Sequence, residues 1–343
     1  MAVRVVFVGG LGRSGTTLLE RLLGEVPGIA PLGEVVHLWE RGVNAHEPCG
    51  CGERFTTCPF WRRVGIRAFG GWSPGLADRV LTLRHRIDRT RHIPALARRQ
   101  CRVGLSGYTR AYSRVYEAAA QVAGCPVVVD SSKHASLAFC LSTSPVVDLS
   151  VVHLVRDPRA VAYSWRRRVR RPEDGTAMTR WRPIRTSLHW MVQNLAFELL
   201  ARRGASVIRI RYEDLLADPR TVLSTLLARL GYRDVAGGAS AGGGGEGGGG
   251  AGGGGLTFLR PGQAELSVAH TCAGNPMRFR AGPVELSRDD SWRDRLSYRH
   301  KWLVTALTWP LMIQYGYRVR DRRTPEAAPT PWLTTGVPAS ECR

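Results

Sequence analysis

The chain has 343 residues, of which 43% are hydrophobic and 22% charged. That composition is ordinary for a globular protein and excludes a coiled coil or a wholly disordered chain. The formal net charge is +21, and only two of the 49 basic residues are lysines, Lys133 and Lys301. Such a charge suits a nucleic-acid binder and an enzyme for polyanionic small molecules equally, so the motifs must separate these classes.

Short apolar runs rich in β-branched residues alternate with helix-like segments through the first two thirds of the chain. This alternation predicts an α/β fold of three layers, in which a central parallel sheet is flanked by helices. Ligands of such sheets bind beyond the carboxyl ends of the strands. Strands are predicted at 3–8, 126–130, 149–155 and 206–210, and helices at 15–25, 76–99, 105–123, 134–142, 158–169, 180–203 and 218–230.

A glycine-rich segment divides the sequence, because 14 of the 39 glycines lie between Gly237 and Gly255. Gly mixed with Ala and Ser is typical of a flexible linker or insertion. We predict an α/β core over 1–235 with a substrate cap at about 40–110, and the linker at 236–255. A C-terminal loop and helix of the same domain are predicted at 256–325, and a loose tail at 326–343.

No sequence stretch reaches the roughly 18 uninterrupted apolar residues of a membrane-spanning helix. The first residues read as a strand and lack the pattern of a secretory signal peptide. We therefore expect no membrane span, a cytoplasmic location, and eight cysteines that mostly remain thiols.

The first predicted strand runs into the sequence GGLGRSGTT, residues 9–17, in which Gly10 and Gly15 have the spacing of a phosphate-binding loop. Converging backbone N–H groups and the N-terminus of the next helix suit a phosphate-like group. A Walker loop carries Lys after the second Gly, but here Thr16 stands there and the cation is Arg13. The loop predicts a P-loop-like fold without standard ATP or GTP chemistry.

A second anion site is predicted after the strand at 149–155. Arg156 follows that strand directly, Asp157 is a suitable N-cap, and Pro158 suits a first helical turn. Ser164 follows two turns later, and Arg168 is four residues beyond Ser164, on the same face of the predicted helix. Two Arg side chains and a hydroxyl suit a phosphomonoester.

The RSGTT sequence resembles the 5′-phosphosulfate loop of sulfotransferases that use 3′-phosphoadenosine-5′-phosphosulfate (PAPS), especially the tyrosylprotein and heparan-type branches. Arg156 and Ser164 match the spacing of the family's 3′-phosphate element, and the sequence after Arg211 is similar to its Tyr-Glu-x-Leu segment. The family also has a C-terminal loop that covers the nucleotide. The cofactor-binding residues implied by this resemblance are Gly12, Arg13, Ser14, Gly15, Thr16, Thr17, Arg156, Ser164, Arg168, Tyr212, Arg278 and Arg280.

The resemblance implies in-line transfer of a sulfuryl group from PAPS to a hydroxyl or amine, with release of adenosine 3′,5′-bisphosphate and no required metal. The acceptor is open between a small molecule, a glycan and a tyrosine. By position, Glu34 matches the base of the tyrosylprotein branch, and Lys133 matches its catalytic Lys, with Arg13 sharing the stabilisation of charge. Several branches use a His base instead, for which His37, His134 and His153 are the alternatives.

A compact group of cysteines, Cys49, Cys51 and Cys58, follows His46. Zinc takes four such ligands, but this spacing is not that of a standard zinc knuckle. A zinc site, a redox or disulfide pair and plain buried thiols all stay open, and the spacing favours plain thiols.

Two other classes of function compete with sulfuryl transfer. A nucleotide kinase or NTPase with a degenerate Walker loop needs an acidic residue for Mg²⁺, for which Asp130 is the candidate. A nucleic-acid-binding protein needs a recognisable module or a basic and aromatic platform. The sequence contains no such module and no such platform, so we expect no nucleic-acid partner.

Overall fold

Five parallel strands form the central sheet of the computed structural model, which describes residues 2–98, 103–170, 175–232, 255–319 and 334–335. Their spatial order is β2-β3-β1-β4-β5, and a two-residue strand, β9, adds antiparallel to the β5 edge. The strand bounds are β1 Val3–Gly9, β2 Ile29–Pro31, β3 Val127–Lys133, β4 Val147–Val155, β5 Ser206–Arg211 and β9 Thr334–Thr335.

Helices cover both faces of this sheet, which confirms the predicted three-layer α/β fold. They are α1 Thr16–Gly24, α2 Pro59–Phe69, α3 Pro74–Ile87, α4 Ile93–Ala97, α5 Leu105–Ala123, α6 Ala135–Leu141, α7 Pro158–Arg166, α8 Pro183–Arg202, α9 Tyr212–Ala217, α10 Pro219–Arg229, α11 Trp292–Arg295 and α12 Tyr298–Gln314. A 3₁₀ turn at Val35–His37 leads into a π-helical segment at Leu38–Asn44. A small antiparallel sheet contains β6 Leu259–Arg260, β7 Gln263–Leu266 and β8 Gly282–Glu285.

The alternation of side chains along β1 separates two apolar cores. Val5 and Phe7 belong to the core on the side of α5 and α8, whereas Val6 and Val8 belong to the core on the side of α1 and α10. Both faces of the central strand are therefore buried, as a parallel sheet covered by helices requires.

Three predicted helices differ from those observed. The pattern at 76–99 is broken because α3 ends at Ile87, and the next residue, Asp88, accepts a hydrogen bond from Tyr108 Oη at 2.8 Å. The helix predicted at 158–169 ends at Arg166, and the one predicted at 180–203 begins only at Pro183. The glycine-rich segment up to residue 254 and all of the predicted tail except 334–335 lie outside the described residues.

Candidate active site

The predicted phosphate loop curls between β1 and α1. Gly10 and Gly15 both have positive φ, at 144° and 93°, and Gly15 is the N-cap of α1. A Cβ at Gly15 would overlap the ring of Tyr212, so only glycine fits this close approach. Because the first amides of a helix have no partner within it, the start of α1 presents N–H donors to an anion.

Arg13, at the centre of this loop, has an unusual backbone conformation. Its φ is 76°, a left-handed value that L-residues other than glycine seldom adopt. Arg156 Nη1 donates to the Arg13 carbonyl at 3.0 Å, and Trp165 Nε1 donates to the Gly12 carbonyl at 2.9 Å. The two predicted anion sites are therefore in direct contact, because Arg156 of the second site holds the backbone of Arg13 in the first site.

Glu34 and Lys133 meet beside this loop. The Lys133 ammonium forms an ion pair with Glu34 Oε1, and the two side chains are only 14% and 13% exposed. Lys133 ends β3 opposite Gly9 of β1, and its carbonyl accepts from Gly10 N at 3.3 Å. Like Arg13, Lys133 has a left-handed backbone, with a φ of 71°. Backbone strain of this kind, about 1–3 kcal/mol per residue, is typical of functional positions.

The pKa of Glu34 is set by burial and by the basic side chains around it. Burial alone would raise the pKa of this carboxyl, but Lys133, His37 and Arg41 outweigh it and lower the pKa to about 2. Glu34 also acts electrostatically on Arg13, whose pKa burial would otherwise lower further. A carboxylate and two cations are therefore concentrated at the carboxyl end of the central strands.

Two of the three alternative histidines lie beside Glu34. His37 Nε2 is 3.7 Å from Glu34 Oε2, and the ring of His134 is 6.0 Å from that of His37. Burial lowers the pKa of His37 to about 3 and also lowers the pKa of His134. His153 instead lies within the sheet, where its Nε2 contacts Asn194 Oδ1 at 2.7 Å. At neutral pH His37 is therefore neutral and Glu34 is negatively charged, and the choice of Glu34 as the base stays a prediction.

Glu20, a buried glutamate that sequence reasoning missed, holds the backbone directly before Glu34. Glu20 of α1 accepts hydrogen bonds from Gly33 N at 2.5 Å and from Ser131 Oγ at 2.7 Å. Burial raises the pKa of Glu20 to about 7. The sequence signal that could have identified Glu20 is the presence of a single acidic residue within the largely apolar sequence TTLLERLL.

Asp130 does not face the phosphate loop, contrary to what a magnesium site would need. It is fully buried, and its two carboxyl oxygens accept from Tyr116 Oη at 2.6 Å, from Ser132 N at 2.8 Å and from Val35 N at 3.3 Å. Ser132 Oγ also bonds to it. Asp130 therefore organises the turn after Glu34 and is wrong as the magnesium ligand of the kinase hypothesis.

The C-terminal loop runs along the backbone of the proposed base. Cys272 N donates to the Leu32 carbonyl at 2.8 Å, and Glu34 N donates to the Cys272 carbonyl at 2.9 Å. A Cβ at Gly274 would lie 3.3 Å from Glu34 Oε1. The loop after the glycine-rich segment thus completes one wall of the site.

The two arginines predicted in this loop differ in burial. Arg278 is 1% exposed, and its Nη1 donates to the Thr271 carbonyl at 3.2 Å, while its own carbonyl accepts from Arg21 Nη1 at 2.8 Å. Arg280 is exposed. Arg278 therefore braces the loop, and contact of either arginine with a nucleotide stays a prediction.

The second anion site is built as predicted only in part. The guanidinium of Arg156 lies 4.5 Å from the ring centre of Tyr212, and Asp157 caps α7 by accepting from Arg159 N at 2.8 Å. Ser164 lies half-buried on α7. Because α7 ends at Arg166, the argument that placed Arg168 on the same helical face is wrong, and Arg168 is exposed.

Arg167, which the sequence analysis did not select, lies closer to the site than its position beside Arg168 suggested. Its positive charge lowers the pKa of Arg13, after burial, and its Nη1 is 3.0 Å from Asp289 Oδ2. Asp289 also feels the charge of Arg156. Arg167 directly follows the end of α7, at a position where a continuous helix was predicted.

A family model described as the sulfotransferase family matches residues 5–235. The chain therefore belongs to the sulfotransferase family. Among curated proteins, none matches the sequence significantly.

Solved structures of sulfotransferases are also similar to the chain. The sulfotransferase domain from the curacin biosynthetic pathway is 16% identical, with a TM-score of 0.48 over 93% of this chain and 99% of that one. The sulfotransferase domain from the Synechococcus PCC 7002 olefin synthase is 21% identical, with a TM-score of 0.39 over 67% and 74% of the two chains. Sulfotransferase STF9 from Mycobacterium avium is 16% identical, with a TM-score of 0.40 over 67% and 64%.

Among the residues that the structure describes, no helix combines the length and the apolar character needed to cross a bilayer.

Proposed function

We propose that the chain transfers a sulfuryl group from PAPS to a hydroxyl or amine acceptor by in-line displacement. The observation that carries this proposal is the buried Glu34–Lys133 ion pair beside the Arg13 loop. It brings together a base, a compact cation and an anion-binding helix terminus, which are the groups that sulfuryl transfer needs.

The phosphate loop supports binding of the phosphosulfate end of the donor. Gly15 leaves the amides at the start of α1 without a side-chain cap, and the buried hydroxyls of Thr16 and Thr17 stand in the same turn. These groups fit a tetrahedral anion. Arg13, in the same loop, adds the positive charge that a Walker lysine would otherwise supply.

Arg156 supports binding of the 3′-phosphate. Its aliphatic and guanidinium groups are held between the Arg13 carbonyl and the Tyr212 ring, so the side chain is oriented before any ligand arrives. Arg156 would form charge-assisted hydrogen bonds to the phosphate, with Ser164 as a neighbouring hydroxyl. Arg167 adds positive charge at the same end of the site.

Lys133 and Glu34 have different roles in the proposed reaction. Glu34 accepts the proton of the acceptor, and Lys133 stabilises the negative charge on the transferring group and on the leaving phosphate. When the Lys133 ammonium interacts with the negatively charged donor, it stabilises the Glu34 carboxylate less. Burial then raises the pKa of Glu34. The base therefore becomes stronger when the donor is in place.

The acceptor is proposed only by chemical class, as a hydroxyl or amine on a small molecule, a glycan or a tyrosine. The segment 40–110 is proposed to cover it. An acceptor screen with radiolabelled PAPS would identify the class by transfer of label.

Nucleotide binding tests the donor. Calorimetry is run with adenosine 3′,5′-bisphosphate, with ATP and Mg²⁺, and with duplex DNA. We expect tight binding of the bisphosphate alone, and Arg156→Ala should weaken it whereas Arg229→Ala, an exposed arginine of α10, should not. Binding of ATP and Mg²⁺ without binding of the bisphosphate would refute the proposal.

A further inference from the structure

The three clustered cysteines meet a histidine that lies more than 200 residues later in the chain. Cys49, Cys51, Cys58 and His270 each present one ligand atom, and these four atoms all lie within 4.8 Å of one another. His46, the neighbour in sequence, is exposed and contacts Thr56 Oγ1 instead. The fourth member of the group is therefore supplied by the C-terminal loop.

Three of the distances among these atoms are close to those of a tetrahedral metal site. The Cys51 and Cys58 sulfur atoms are 3.7 Å apart, and His270 Nδ1 is 3.3 Å from the Cys58 sulfur and 3.8 Å from the Cys49 sulfur. Zinc bonds of about 2.3 Å to sulfur and about 2.0 Å to nitrogen require sulfur–sulfur edges of about 3.8 Å and sulfur–nitrogen edges of about 3.5 Å. A disulfide would require about 2.05 Å between the two sulfur atoms.

The loop that carries the first two cysteines is shaped to approach the C-terminal loop closely. Gly50 N donates to the Thr271 carbonyl at 2.9 Å, and a Cβ at Gly50 would lie 2.5 Å from the Ala269 carbonyl oxygen. Gly52 has a φ of 93°, which turns the chain back after Cys51. Glycine at both positions lets the cysteines and the histidine reach one centre.

The remaining two ligands are also oriented. Cys58 is the N-cap of α2, and its sulfur atom lies 3.3 Å from His270 Nδ1. The His270 ring stacks on Phe60, with ring centres 5.2 Å apart and an angle of 8° between the planes. Cys49 and Cys58 are fully buried, which excludes water from most of the group.

We infer that Cys49, Cys51, Cys58 and His270 form a structural zinc site that clamps the C-terminal loop onto the segment before α2. Four protein ligands close the tetrahedron and leave no open position for catalysis. His270 is two residues before Cys272, whose backbone pairs with Gly33, the residue before Glu34. The metal would thus fix the wall of the active site without touching the reacting atoms, and the inference does not depend on the proposed sulfuryl transfer.

Metal content and cobalt substitution test the site in the full chain. Protein produced with zinc and purified without chelators should contain about one zinc per chain by mass spectrometry. Replacement of zinc by Co²⁺ should give the intense visible bands of tetrahedral cobalt and a near-ultraviolet band from thiolate ligands. Cys51→Ser, at the half-buried ligand, should lose most of the zinc, whereas Cys125→Ser, a half-buried cysteine outside the group, should keep it.

Amide hydrogen exchange links the metal to the loop. Removal of the zinc should accelerate exchange at Cys272 and Glu34, whose amides join the loop to the site, and should leave the central strand β1 protected. A chain with no bound zinc, a weak octahedral cobalt spectrum, or two fewer free thiols under denaturing, non-reducing conditions would each overturn the inference. The wild-type cobalt spectrum decides the matter even if a cysteine variant fails to fold.

Discussion

Replacing Lys133 by methionine tests the electrostatics of the site most directly. In the native chain the neighbouring cations, Lys133 first among them, outweigh burial and hold the pKa of Glu34 at about 2, against an ordinary value of 4.5. A difference of about 2.5 pH units corresponds to about 3 kcal/mol of unfolding free energy. Because the folded pKa is the lower one, this stabilisation is present above about pH 4.5 and is lost as the pH falls towards 2.

The Lys133→Met variant should show the opposite dependence on pH. Burial then acts on Glu34 with its nearest cation gone and raises the folded pKa of the carboxyl above its unfolded value. The contribution of Glu34 to stability is then present below about pH 4.5 and is lost as the pH rises through the folded pKa. At neutral pH we expect the variant to be less stable than the native chain by about 3–5 kcal/mol, the usual effect of leaving a buried charge without its partner.

Urea unfolding followed by tryptophan fluorescence between about pH 4 and about pH 7 measures this effect. Lys301→Met, at the only other lysine, is the matched control and should follow the native curve. Adding Glu34→Gln to Lys133→Met should remove the new pH dependence, since no carboxyl remains to be charged. A deficit of Lys133→Met that stays constant from the acid to the neutral end of the range would refute the reasoning.

Three further substitutions probe the rest of the site. Arg156→Ala should weaken binding of adenosine 3′,5′-bisphosphate about 10- to 100-fold by calorimetry, as loss of a charge-assisted bond does, and Arg168→Ala should weaken it less. Burial raises the pKa of Glu20 from 4.5 to about 7, so its favourable contribution is present below about pH 4.5 and lost as the pH rises through 7. Glu20→Gln should therefore gain stability relative to the native chain at alkaline pH in urea unfolding, and an unchanged difference across the range would contradict this. Gly15→Ala should lower the unfolding free energy by more than about 1 kcal/mol, because φ is left-handed there and the Cβ would overlap Tyr212.

The parts of the site that lie at strand ends were predictable from the sequence. Four strands were placed within about three residues of their observed bounds, and Lys133 ends one of them and Arg156 follows another, as the rule for parallel sheets requires. Glu34, by contrast, was selected by resemblance to a family. The short strand β2, which precedes it, has only three residues and gave no periodic signal.

The parts that depend on distant segments were not predictable in this way. Nothing near Cys58 in the sequence indicates that its neighbour is His270, because their contact is made only when the C-terminal loop packs against the core. Glu20 likewise acquires its role through Gly33 and Ser131, which lie on other elements. The helical position predicted for Arg168 was wrong for a local reason, since α7 ends at Arg166, sooner than its charged sequence suggested.

The pairing of Cys272 with Gly33 has a consequence for the order in which the enzyme is made. The family match ends at residue 235, yet Glu34 acquires its covering backbone only from residues 272–274. During synthesis, the sheet and the phosphate loop leave the ribosome well before the segment that encloses the carboxylate. A nascent chain would therefore complete its central strands early, and the later synthesis of residues 272–274 would decide when the site is closed.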